Sequence, residues 1–219
     1  IVSTFYYPPH LPNPGHCTLI THSGSSWTSV THNDERFGFN LSISTGQELS
    51  LTTADYIDFA LENTDTRVIG LILETVRDPE SFIAALEKAN RKEIPVVALK
   101  VGRTEASAKL AISHSGAIAG NDAAYEAIFY RYGVSRVETL EELASALSLL
   151  CHYPTVGPGE LISTHDSGFE RELFVDLAER HNAPLANLTA ATTAKLTMLL
   201  DPGLDPINPL DVWGTGYNY

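Results

Sequence analysis

The sequence predicts an α/β protein built from two successive doubly wound units with open parallel sheets, the second unit incomplete. Three observations predict it. Apolar runs of strand length alternate with amphipathic helical stretches up to Leu150, the pattern of consecutive βαβ units. One run, Val68-Ile-Gly-Leu-Ile-Leu73, is continuously apolar, as suits a parallel strand covered by helices on both faces. After a Pro/Gly-rich stretch at 153–159, strand, turn and helix begin again.

Taken in order, residues 1–15 are proline-rich and read as an extended lead-in. Cys17-Thr-Leu-Ile-Thr21 is a short apolar strand, and His22-Ser-Gly-Ser-Ser26 a turn before a helix across Trp27 to Asp34. Phe37 to Ser44 alternates with period two, as a half-buried strand does. Thr53-Ala-Asp55 caps a helix to about Asn63 with Tyr56, Phe59 and Ala60 on one face. Asp78-Pro-Glu-Ser opens the helix Phe82 to Arg91, with Asp78 as N-cap and proline tolerated in the first turn. A strand at Ile94–Lys100, a loop, a helix at Ala123–Tyr132, a strand at Val134–Val137 and a helix at Leu140–Leu150 complete the first unit, residues 16–152. In the second unit, 160–219, Glu160–Thr164 is a strand and His165-Asp-Ser-Gly168 a turn. Phe169–His181 is a helix with Leu173, Phe174 or Val175, and Leu177 facing inward. An extended segment at Ala183–Leu188 and a helix at Thr189–Leu200 follow.

Composition narrows the function classes. With 43% hydrophobic and 19% charged residues, the 219-residue chain is globular rather than disordered. A net charge of −13 repels a phosphate backbone, so no nucleic-acid partner is expected. It leaves room for a small anion held locally by loop amides and helix N-termini. The two cysteines, Cys17 and Cys151, form no metal-binding or disulfide pattern, so no metal ligands are assigned. No run approaches the ~18 apolar residues of a membrane span, and no signal segment opens the chain, so the cytoplasm is the expected location. The chain starts at Ile1 and ends at Tyr219 after a Gly-Thr-Gly turn, and both ends read as cut from something longer.

The chemistry concentrates in Leu110-Ala-Ile-Ser-His-Ser-Gly-Ala-Ile-Ala-Gly-Asn-Asp122. His114 stands between Ser113 and Ser115 with Gly116 behind it, in a small-residue loop that leaves an imidazole accessible. With an unperturbed pKa near ~6.5, much of such a ring is a free base at neutral pH. That is what a phosphoryl acceptor requires, and it also describes an ordinary loop histidine. Two further turns repeat one theme. Leu19-Ile-Thr-His-Ser-Gly24 parallels Leu161-Ile-Ser-Thr-His-Asp-Ser-Gly168, each running from strand through a hydroxyl-and-glycine turn into a helix. Such turns present unpaired amides at a helix start, which favour an anion; Ser, Asp and Gly are also the residues any βα turn uses for capping.

With these residues in view, the chain resembles the ADP-forming (NDP-forming) acyl-CoA synthetases, the acetate–CoA ligase family related to succinyl-CoA synthetase. The resemblance rests on Lys100–Lys109 (KVGRTEASAK), Ser113–Asp122 (SHSGAIAGND), Tyr130–Val137 and Glu138–Leu143, together with Ile72–Glu80 and the Asn-Pro-x-Asp motif within Ile207–Gly214. It implies two flavodoxin-like, succinyl-CoA synthetase-like three-layer units, and an enzyme that makes acyl-CoA, ADP and phosphate from a carboxylic acid, CoA and ATP. Acyl phosphate and phosphohistidine are the intermediates. By the resemblance His114 carries the phosphoryl group and Glu74 orients it. The anion would be held by Ser23, Gly24, Ser25, Ser113, Ser115, Gly116, Ser167 and Gly168. Chemistry agrees with that pairing: an acceptor imidazole needs one nitrogen free and the other held, and a carboxylate does the holding. Glu74 and His114 both follow parallel strands, so both fall on the carboxyl edge of one sheet.

The chain departs from the family at His22, where Gln or Arg is usual, and at His165-Asp166, where Asn or Gly is usual; both histidines are read as loop side chains, and Arg77 and Asp78 as structural. No dinucleotide-type glycine motif or ATP-grasp pattern is present. The partners implied are therefore the CoA-binding and ATP-grasp domains of the same enzyme, a small carboxylic acid, and a second copy when full length. ATP/ADP, Mg²⁺ and CoA are substrates or cofactors of that whole enzyme, with none held tightly here. By itself this stretch would carry the phosphohistidine without completing the reaction. The competing reading is a non-catalytic regulatory module of the wider family fused to an acetyltransferase, which the presence of His114 disfavours. An FMN-binding domain is a poor third, because flavin stacking needs aromatics at the strand edge.

Overall fold

The computed structural model describes residues 14–33, 36–107, 110, 121–153 and 157–214. The chain divides into two compact units, Ile1–Val156 and Gly157–Tyr219.

The first unit is a five-stranded, all-parallel sheet in the order β2-β1-β3-β4-β5. The strands are β1 (Pro14–Thr21), β2 (Phe39–Ser44), β3 (Val68–Leu73), β4 (Val96–Lys100) and β5 (Ser135–Val137). The helices are α1 (Gly24–Asn33), α2 (Thr53–Asn63), α3 (Pro79–Arg91), α4 (Asp122–Arg131) and α5 (Leu140–His152). All six residues of β3 and all five of β4 are buried, so the continuous apolar run does mark a central strand. Successive side chains on these strands point to opposite faces, and each face has its own core. Ile69, Leu71, Leu73, Val96 and Ala98 pack with Ile57, Phe82, Leu86, Tyr125 and Phe129 from α2, α3 and α4. Leu19, Val68, Ile72, Val97 and Leu99 pack with Trp27, Val30, Leu143 and Leu147 from α1 and α5. This is the three-layer architecture the sequence predicts.

Local chemistry sets the helix starts. Asp78 accepts the Ser81 amide at 3.1 Å ahead of Pro79, and Thr139 accepts the Glu142 amide at 3.1 Å. Thr52, one residue before the expected cap, opens α2, and Asp55 returns a bond to its amide at 2.8 Å, a reciprocal cap. The buried face of α2 is Ala54, Ile57, Ala60 and Leu61, whereas Phe59, expected on one face with Tyr56 and Ala60, is 50% exposed. Ile57 and Leu61 sit at i, i+4 and outcompete the aromatic for the sheet. Gly70 in β3 has a packing role: a Cβ there would lie 2.9 Å from a terminal carbon of Leu147, so glycine lets α5 seat close to the sheet.

The second unit is smaller. Its sheet pairs β6 (Thr164–His165) in parallel with β7 (Leu210–Asp211), and Leu161 bridges Leu185. Helices α6 (Gly168–Arg180) and α7 (Ala190–Leu199) follow the strand regions. The Asn208 side chain ties the extended segments: it donates to the carbonyls of Leu161 (2.8 Å) and Ala186 (2.9 Å) and accepts the Ser163 amide at 3.2 Å. Of the residues expected inward, Leu173, Val175 and Leu177 are 47%, 38% and 43% exposed, whereas Phe174, the alternative to Val175, is half-buried. Two-residue strands offer little surface to cover, and α6 instead turns Phe174 onto the His165 ring, 5.2 Å between centroids, and buries Ala178. β7 was not foreseen as a strand, because two residues carry no readable periodicity.

Candidate functional site

A parallel sheet puts every strand's carboxyl end on one edge. At that edge the His22 amide bonds to the Ile72 carbonyl (3.0 Å), the Thr45 amide to Thr21 (2.8 Å) and the Val101 amide to Leu73 (3.0 Å). The residues that leave β1, β2, β3 and β4 are thereby aligned. α1 covers one face of the sheet and α3 the other, so the chain leaves β1 and β3 in opposite directions. That divergence is the topological switch point of an order 2-1-3-4-5 sheet, the usual ligand position in such folds.

Two groups meet there. The first is the turn into α1. Ser23 receives the Ser26 amide on its hydroxyl (3.3 Å) and the Trp27 amide on its carbonyl (3.0 Å), and Thr21 Oγ1 accepts the Ser23 amide at 3.0 Å. The amides of Gly24 and Ser25 have no acceptor among the described residues, and Gly24 and Ser25 are exposed. The second group is Glu74, half-buried just beyond β3. Its amide donates to His22 Nδ1 at 3.1 Å, while its carboxylate accepts no hydrogen bond from the described residues.

His22 is no loose loop side chain. Its ring is 4% exposed and lies 3.1 Å from Glu48 Oε1 and 3.2 Å from Thr53 Oγ1 through Nε2. Glu48 is equally buried and also accepts the amide and hydroxyl of Thr53. Burial pushes the Glu48 carboxyl up, but hydrogen bonds from His22 and Thr53 outweigh it and hold the group below its ordinary 4.5. Its contribution to stability is therefore present above pH ~4.5 and is lost as pH falls through the lower folded value. Melting temperature followed from pH 7 to pH 3 should fall on the acid side, and Glu48→Gln should flatten that limb; an unchanged profile would remove Glu48 from the acid response. A cavity of about 10 Å³ lies among His22, Glu48, Glu74, Thr75 and Arg77, about one water's room. Arg77, read as structural, borders it.

On the other side of Glu74, Lys100 closes β4. Its ammonium is buried, donates to the Val101 carbonyl and sits 4.6 Å above the Tyr125 ring. Burial pushes its pKa down; Arg136 adds to this, and Asp122 and Glu74 oppose it. Tyr125 Oη accepts the Val76 amide at 3.0 Å, so Lys100 and Tyr125 brace the turn that carries Glu74. Beyond them Arg136 pairs with Asp122 (2.5 Å) and Glu126 (2.7 Å), and Arg103 with Glu138 (2.7 Å). His22, Glu48, Lys100 and Tyr125 were not singled out as site residues. A lysine ending an apolar strand is a signal that can be read, whereas Glu48 gives none, being one acid in a polar loop.

His114, Ser113, Ser115 and Gly116 lie outside the described residues. In the second unit Ser167 and Gly168 stand at the start of α6, where Ser167 accepts the Arg171 amide on its carbonyl at 3.2 Å. His165 bonds Ser163 Oγ at 2.9 Å, so it too is anchored, and Asp166 is exposed. Asp211 of the Asn-Pro-x-Asp motif lies 3.8 Å from Arg171. A cavity of about 330 Å³ beside α6 is lined by Gly168, Arg171, Glu172, Val175, Asp176 and Pro209. Among the described residues no group of three or more His, Cys, Asp or Glu is placed to hold a metal ion, and no helix is long and apolar enough to cross a membrane.

The sequence profile of the succinyl-CoA ligase like flavodoxin domain matches residues 14–150. The chain belongs to that family. Among relatives of the succinyl-CoA ligase like family, an ADP-forming acetate–CoA ligase of Methanocaldococcus jannaschii is 33% identical over 206 residues, covering 93% of this chain and 29% of that protein. The alpha subunit of an ADP-forming acetate–CoA ligase II of Pyrococcus furiosus is 30% identical over 200 residues, covering 90% of this chain and 43% of that subunit. A solved acetyl-coenzyme A synthetase 1 of Ca. Korarchaeum cryptofilum, in complex with phosphate and ADP, superposes with a TM-score of 0.78 at 25% identity, over 92% of this chain and 44% of that one. The chain thus spans less than half the length of these relatives. The flavodoxin-like fold and the kinship with ADP-forming acyl-CoA synthetases agree with the reading from sequence.

Proposed function

We propose that this chain is the phosphohistidine-bearing part of an ADP-forming acyl-CoA synthetase, with His114 as the phosphoryl carrier and Glu74 as the residue that orients it. The observation that supports this most lies at the switch point: Glu74, a half-buried carboxylate that accepts no hydrogen bond from the described residues, follows β3, next to the strand whose turn carries the exposed Gly24 and Ser25. A carboxylate there accepts one imidazole N–H and leaves the other nitrogen as nucleophile. The nearby amides offer donors to spreading negative charge, which is what phosphoryl transfer asks of a protein.

In the ATP-consuming direction, an imidazole nitrogen of His114 takes the γ-phosphoryl group. An N–P bond forms, a P–O bond breaks, and ADP leaves. A carboxylate oxygen of the acid then takes the phosphoryl group from His114, giving an acyl phosphate. The CoA thiolate attacks the acyl carbon and expels phosphate. The nucleotide, Mg²⁺ and CoA are supplied by CoA-binding and ATP-grasp domains that complete the enzyme, and a small carboxylic acid is the substrate. In its own unit the turn at 165–168 places Ser167 and Gly168 at the start of α6, where donors of the same kind are expected.

The test is labelling of the full-length protein with ATP and Mg²⁺, with mass spectrometry under conditions that spare acid-labile phosphate. A phosphate mapping to the peptide that holds His114 is expected. A fully folded protein that turns over acyl-CoA yet never carries phosphate on that peptide overturns the proposal.

A further inference from the structure

We propose that His22 is a positioning residue for Glu74, with the buried Glu48 fixing the tautomer in which it works. The inference rests on the reading of Glu74 given above and concerns how that residue is held. An amide can only donate, so the Glu74 N–H at 3.1 Å requires a lone pair on His22 Nδ1. The neutral ring then carries its proton on Nε2, which faces Glu48 Oε1 at 3.1 Å. Glu48 is anchored in turn by the Thr53 amide at 2.6 Å and by the Thr53 hydroxyl. The chain of contacts runs from the start of α2, through a buried carboxylate and a buried imidazole, to the main chain at the end of β3.

Two features give this arrangement a purpose beyond packing. The Glu74 carboxylate has no hydrogen bond to the described residues, so its direction is set through its backbone, and His22 holds that backbone. Glu48 adopts φ +53°, a left-handed conformation unfavourable for a side chain with a Cβ. A fold seeking stability alone would not place a strained, buried carboxylate there.

The experiment uses the full-length protein in two readouts, hydrogen exchange at the Glu74 amide and the single-turnover rate of acid-labile labelling by ATP. His22→Leu removes both contacts, His22→Gln keeps a donor towards Glu48 without the acceptor, and His22→Asn keeps an acceptor where Nδ1 stood. His22→Leu and His22→Gln are expected to speed exchange at Glu74 and to slow labelling about tenfold, the scale of a modest misplacement of a reacting group. His22→Asn should restore both to within about threefold, and in the Glu74→Ala background His22→Leu should change the rate by less than about twofold. An equal loss in both backgrounds, or a His22→Gln protein that behaves as wild type, overturns the proposal. If the wild-type protein takes no label, the reading of His114 fails, and exchange at Glu74 still decides the role of His22: faster in His22→Leu and restored in His22→Asn supports it, unchanged overturns it.

Discussion

Full-length protein carrying His114→Asn is expected to accumulate no acid-labile phosphate from ATP and to lose acyl-CoA formation by at least about 10³-fold, because asparagine offers no nitrogen lone pair to take a phosphoryl group. Glu74→Gln is the graded companion. The amide keeps the size of the carboxylate but loses the charge that favours an imidazole N–H and the imidazolium-like transition state, so the labelling rate should fall by about 10²-fold, with little change in KM for ATP. Rapid-quench labelling measures both. A Glu74→Gln protein that labels at the wild-type rate would take Glu74 out of the mechanism while leaving His114 in it.

Phe82→Ala should have the largest effect on stability. Phe82 is 2% exposed and packs among Ile57, Leu71, Leu73, Leu86 and Phe129, where α2, α3 and β3 meet. A phenyl removed from such a site costs about 3–5 kcal/mol, through lost transfer energy and the cavity left behind. Because α3 starts only five residues after Glu74, the same cavity loosens the turn that carries the carboxylate. Hydrogen exchange along Val68–Leu73 should therefore rise steeply in this variant. Phe59→Ala is the control: half exposed on α2, it should cost within about 0.5 kcal/mol, as surface changes do. Equal effects at the two positions would contradict the assignment of the core.

What could be read from the chain alone was whatever depends on local pattern. Val68–Leu73 announced a strand buried on both faces, Asp78 announced its cap, and the alternation of elements announced a parallel sheet. The motifs around His114 and Asn208 pointed to the family. Periodicity says less where an element is short or its partner surface small. The outward stripe of Leu173 and Leu177 reads as a core face in one dimension, and β7 is too brief to show a period.

Residues 22, 48 and 74 are separated by 26 positions on either side of Glu48, and nothing in a linear pattern joins them. Only the crossover of α2, which returns the chain from the edge strand to the other side of β1, brings the three together. The sequence by itself determined the fold class and the family, because these follow from local spacing and motif. The tertiary structure decided that a histidine read as a loop side chain is buried between two glutamates. Burial and hydrogen-bond partners belong to the packed sheet edge and to no single segment of the chain.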